Sequence, residues 1–90
     1  MKATHVIVQG RVQGVFFRDY THRQALKTGI NGWVRNLPDG SVETLLYGPD
    51  SSVELMVDWL RQGSPLSRVE NLRVREVEPL EQLDGFEVIY

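Results

Sequence analysis

At 90 residues the chain has room for one domain, residues 1–90, with a single hydrophobic core. A formal net charge of −2 excludes the broad basic field of nucleic-acid binders, and the absence of cysteine excludes disulfides, thiolate chemistry and Cys-based metal sites. No run is apolar and long enough to span a membrane and no signal-peptide h-region is visible, so the expectation is a cytoplasmic protein with neither membrane nor nucleic-acid partners.

Residues 4–12 alternate, with Val6, Val8, Gly10 and Val12 on one face and His5, Ile7, Gln9 and Arg11 on the other. That pattern predicts a strand buried mainly on one side, and His5 reads as one of its surface residues. The stretch Gly-Arg-Val-Gln-Gly-Val-Phe-Phe-Arg, residues 10–18, then leads from this strand into a helix. Two glycines four residues apart, Gly10 and Gly14, permit a sharp turn in which successive backbone N–H groups point one way. A concave row of amides running into a helix N-terminus is an anion site. Arg18 falls in the first helical turn, and helical side chains lean back toward the N-terminus, so its guanidinium is expected to fold over the loop. No Gly-Lys-Ser/Thr follows and the dinucleotide fingerprint is absent, which leaves a cradle sized for one phosphate.

A first helix is predicted over residues 17–28, closed by Gly29 as a left-handed cap. Its apolar stripe is Phe17, Thr21, Ala25 and Leu26, and Phe16 and Tyr20 read as core filler sooner than as ligand contacts. Residues 30–36 form a second strand containing Trp33. Leu37-Pro38-Asp39-Gly40 is a tight turn, and residues 41–48 return as a hairpinned third strand. Residues 50–62 carry the clearest helical pattern, with Val53, Met56, Val57 and Leu60 on one face. Ser51 with Glu54 is expected to form a capping box, and Gly63 and Pro65 end the helix. Met56 and Trp59 are packing groups on this reading. Residues 69–77 and 85–90 alternate as two further strands, the first laced with arginine and glutamate in balance.

The order strand, helix, strand, strand, helix, strand, with a short extra C-terminal strand, predicts a ferredoxin-like βαββαβ sandwich of the α+β class: two helices on one face of an antiparallel sheet. In that topology the first two strands run parallel with the third between them. At ~4.8 Å per strand their C-terminal ends lie about 10 Å apart at one edge. Asn36, closing the second strand, therefore faces the cradle that closes the first, and the two can hold a phosphate and one water between them.

Residues 10–18, together with Gly-Trp-Val-Arg-Asn-Leu-Pro-Asp-Gly-Ser-Val-Glu at residues 32–43, resemble the two signatures of the acylphosphatases. The resemblance implies a small, free-standing enzyme that cleaves the carboxyl–phosphate bond of acyl phosphates without a cofactor or metal. It implies that Arg18 binds the phosphate and that the backbone amides of Gln13, Gly14, Val15, Phe16, Phe17 and Arg18 form the cradle. Asn36 would position the attacking water, and Gly10 and Ser41 match positions nearby with weaker claims. The position of Phe16 is glycine in many relatives and phenylalanine in others. Arg11 and His22 fall outside the implied set.

The chemistry agrees with what the chain lacks. A carboxylate leaving group has a reference pKa near ~4, so no general acid is needed. If water attacks phosphorus in line, no nucleophilic side chain is needed, and amides with Arg18 can neutralise the equatorial oxygens. The first signature, residues 10–18, offers no carboxylate or His as base for the water, which leaves the substrate's own phosphate as the expected proton acceptor. The competing reading is a non-catalytic anion-binding or regulatory domain on the same fold. An RNA-recognition module is disfavoured, because the first strand offers Val6, Ile7 and Val8 where such modules stack bases on aromatics. A metal carrier would need a Cys-x-x-Cys. Balanced charge and no evident exposed apolar stripe favour a monomer.

Overall fold

The computed structural model describes residues 1–78 and 83–90. Seven elements follow in order: β1 (Lys2–Arg11), α1 (Phe17–Thr28), β2 (Asn31–Asn36), β3 (Val42–Gly48), α2 (Asp50–Gln62), β4 (Arg68–Val77) and β5 (Phe86–Ile89). Alternation dictates the layering. Val6 and Val8 of β1, Val34 of β2 and Val42 and Leu46 of β3 all turn to one face and are buried. Against that face α1 lays Phe17, Thr21 and Ala25, and α2 lays Val53, Met56 and Leu60. Burying each such apolar side chain stabilises the fold by roughly 1.5–3 kcal/mol. The rings of Phe17 and Trp59 meet at 6.0 Å where the helices touch, so Trp59 is indeed a packing group.

The strand order is β4-β1-β3-β2-β5. Both β1 and β2 pair antiparallel with β3, which makes them parallel to each other with β3 between. The ferredoxin-like arrangement is therefore present. One edge departs from the expected antiparallel sheet: β5 pairs in parallel with β2, with Val88 opposite Val34. Two hydrogen bonds fix its entry, from the Gly32 amide to the Gly85 carbonyl and from Asn31 Nδ2 to the Leu83 carbonyl. The parallel sense carries the end of β5 to the same sheet edge as the ends of β1 and β2.

Three local expectations fail. Phe16 is 68% exposed rather than core filler, because its neighbours Val15 and Phe17 take the buried positions. Leu26 is 62% exposed rather than part of the α1 stripe, because residues 17, 21 and 25 already define the buried line and residue 26 lies about 100° around the helix from it. The Ser51–Glu54 capping box is also absent. The first helical bond runs from the Val53 amide to the Pro49 carbonyl, so Pro49 holds the cap position and no side chain caps the helix. Ser51 thereby lies inside the first turn, where its hydroxyl cannot accept in a capping geometry.

Candidate active site

The β1–α1 loop begins where Gly10 lets β1 kink. A bulge separates Gln9 from Gly10 in the pairing with β4, and at Gly10 (φ +130°) a Cβ would collide with the Arg68 carbonyl oxygen. The role of Gly10 is thus close strand approach, and it does not line the cleft described below. Gly14 (φ +74°) makes the turn itself, with open space around its α-carbon. Phe16 then enters α1 at φ +58° and ψ +26°, in the left-handed region, with no side-chain cap.

This path leaves a row of donors unused. The first amide of the turn to reach a backbone acceptor is that of Tyr20, bonded to the Phe16 carbonyl at 3.1 Å. Among the described residues nothing accepts from the amides of residues 13–19. Unpaired amides at a helix N-terminus carry partial positive charge and attract anions.

Side chains of the loop hold it on two sides. Gln13 Nε2 donates to the carbonyls of Leu37 and Ser41, each at 2.8 Å. Val15 is buried, and its carbonyl lies 3.5 Å from the Ser64 hydroxyl beyond α2. The β2–β3 turn that receives Gln13 is itself closed by Asp39, whose carboxylate accepts from the Ser41 hydroxyl and, at 3.0 Å, from the Ser41 amide. Those bonds hold the Asp39 carboxyl below its ordinary pKa.

A cleft of about 320 Å³ opens at this edge, lined by Gly14, Phe16, Phe17 and Arg18 from the loop and by Asn36 from the end of β2. Val12, Asp19 and Tyr90 complete it. Arg18 leans toward the C-terminal strand: Nη1 donates to the Ile89 carbonyl at 3.0 Å, and the guanidinium lies 4.6 Å from the centre of the Tyr90 ring. Among the described residues one of its five N–H donors is occupied, and the rest are available to an anion.

A family model described as acylphosphatase matches residues 4–88. The chain belongs to the acylphosphatase family. An acylphosphatase of Syntrophus aciditrophicus is 47% identical over 90 residues, covering 100% of this chain and 94% of its own. One from Gloeobacter violaceus is 52% identical over 85 residues, 94% of this chain and 90% of its own. The crystal structure of acylphosphatase from Bacillus subtilis superposes with a TM-score of 0.96 at 40% identity, covering the whole of both chains. As an acylphosphatase the protein is a hydrolase, and the fold described above is the family's.

Five of the expected site residues line this cleft: Gly14, Phe16, Phe17, Arg18 and Asn36. Gln13, Val15 and Ser41 support its walls instead, and Gly10 serves the bulge. Sequence reading missed Tyr90 and the Ile89 carbonyl. The available signal was the alternation of Phe86, Val88 and Tyr90, but its bearing on Arg18 depends on β5 pairing in parallel beside β2. Outside the cleft, the open sheet face carries a second polar group: Glu43 lies 2.7 Å from His5 Nε2 and accepts from Arg35 Nε. Among the described residues no cluster of three or more His, Cys, Asp or Glu stands ready for a metal.

Proposed function

We propose that this acylphosphatase hydrolyses acyl phosphates to a carboxylate and inorganic phosphate by in-line attack of water. Arg18 and the amides of residues 13–18 hold the phosphoryl group, and Asn36 positions the water from the opposite wall. The observation that carries the reading is that Arg18, Asn36 and a row of unpaired loop amides share one cleft at the ends of two parallel strands. Charge-assisted hydrogen bonds are worth about 1.5–3 kcal/mol each. Four or five, tightening as charge builds on the equatorial oxygens, supply a substantial share of the barrier reduction.

The carboxylate leaves without protonation. The water's proton passes to a phosphoryl oxygen of the substrate, because the loop of residues 10–18 carries no carboxylate or His; Asp19, the one carboxylate lining the cleft, is the rival base. A single chain supplies every residue of the set, which supports a monomer as the working unit.

The test is hydrolysis of benzoyl phosphate in EDTA by the wild type, Arg18→Ala and Asn36→Ala. Rapid turnover lost in both variants is expected, with competition by inorganic phosphate weakened in Arg18→Ala and kept in Asn36→Ala. Phosphate binding by an inactive wild type would instead favour a non-catalytic anion-binding domain.

A further inference from the structure

The backbone at Phe16 is out of keeping with its side chain. Seven glycines take positive φ in the described chain, and Phe16 alone does so without being glycine. A bulky residue in the left-handed region costs about 1–3 kcal/mol, and such strain persists where something else uses the side chain. Packing is not that use, because Phe16 is 68% exposed. A glycine would supply the same turn at no cost. What Phe16 does is line the cleft.

The cleft is also larger than the reacting group. A phosphoryl group and one water together take the space of roughly four waters, at about 30 Å³ each, and the cleft holds about 320 Å³. More than half is left for the acyl half of the substrate. In-line attack puts the leaving carboxylate on the side away from the water, and therefore away from Asn36. Phe16 lines the cleft from the β1–α1 loop and Asn36 from the end of β2, and Val12 and Phe17 add apolar carbon to the lining. The lining's one carboxylate, Asp19, opposes a second anionic group on the substrate.

We propose that Phe16 is a specificity-determining residue that receives the acyl group, and that the substrates are acyl phosphates whose acyl part is uncharged and apolar, aromatic above all. This rests on the hydrolytic reading given above. The Phe16 ring offers a face or edge to an aromatic acyl group, and the strained backbone holds the ring over the cleft in place of burying it.

The experiment compares kcat/KM for benzoyl phosphate and acetyl phosphate in the wild type, Phe16→Gly and Phe16→Leu. Intrinsic reactivity differs between the two substrates but cancels when each variant's benzoyl-to-acetyl ratio is divided by that of the wild type. Phe16→Gly relieves the backbone, so its melting temperature is expected to equal or exceed that of the wild type. Its benzoyl preference is expected to fall roughly threefold to tenfold, the scale of one ring contact. The loss should sit in KM, with Phe16→Leu intermediate. Inhibition by inorganic phosphate, which has no acyl group, is expected to move less than the benzoyl KM. An unchanged or increased ratio, or an equal loss on both substrates, overturns the proposal and makes Phe16 a shaper of the loop. A wild type that hydrolyses neither substrate defeats the hydrolytic reading itself, a result distinct from any change in the ratio.

Discussion

The side-chain amide of Gln13 hydrogen-bonds the carbonyl of Ser41 at 2.8 Å, joining the anion loop to the turn that follows Asn36. The same nitrogen donates to Leu37, so both protons are used on two carbonyls of one hairpin. The spacing between the cleft's two walls is thereby tied to one residue.

Gln13→Glu removes both donors and sets a carboxylate against two carbonyl oxygens. Both carbonyls keep a backbone donor, Ser41 from the Leu37 amide and Leu37 from the Gly40 amide, so the loss is that of two hydrogen bonds at about 0.5–1.5 kcal/mol each; one kilocalorie lowers the melting temperature of a domain this size by roughly 4–8 °C. Because the lost bonds fix Asn36 relative to the loop, kcat is expected to fall more than phosphate affinity. Thermal unfolding alongside steady-state kinetics checks this. A melting shift with unchanged kcat would reduce Gln13 to a structural tie.

Tyr90→Ala removes the ring over which Arg18 lies. Cation–π contacts at exposed sites are worth about 0.5–1 kcal/mol, so inorganic phosphate is expected to compete roughly twofold to fivefold more weakly. Stability should hardly change, since Tyr90 is 90% exposed. Phosphate inhibition constants and melting curves separate the two effects.

Gly10→Ala and Gly14→Ala should fail differently. At Gly10 the new methyl meets the backbone of β4, and overpacking typically costs about 1–3 kcal/mol or more. At Gly14 space is open and only the left-handed backbone objects, a cost of roughly 1–2 kcal/mol. Denaturant unfolding is expected to show the larger loss for Gly10→Ala. Activity per folded molecule should suffer more in Gly14→Ala, because Gly14 lines the cleft.

Glu43 sets an acid limb of stability. Desolvation on the sheet raises its pKa, but hydrogen bonds from His5 and Arg35 and the charge of both outweigh that, leaving it below the ordinary value of 4.5. A depressed carboxylate contributes stability that is fully present above its unfolded pKa and is lost as pH falls through the folded one. The wild type is therefore expected to exceed Glu43→Gln in stability at pH 7, with the gap closing below about pH 4. Denaturant unfolding at pH 7, 5 and 3 measures it; a gap that stays constant would show that packing, not ionisation, is at work.

Helix and strand identities were legible in the chain because each rests on local periodicity: Val6 and Val8 for β1, and Val53, Met56 and Leu60 for α2. The turn between β1 and α1 was legible because glycine placement limits backbone shape over a few residues. The parallel sense of β1 and β2 on either side of β3, which sets Asn36 across from the loop, followed from element order alone. Long-range pairing decided the remainder. No local pattern says that β5 runs parallel beside β2, and that pairing delivers Ile89 and Tyr90 to Arg18. Nor does sequence reveal that the Gln13 side chain faces the hairpin while the Phe16 ring stays in solvent at a strained backbone position. Those placements depend on contacts between residues far apart in the chain, which exist only once the sheet has closed.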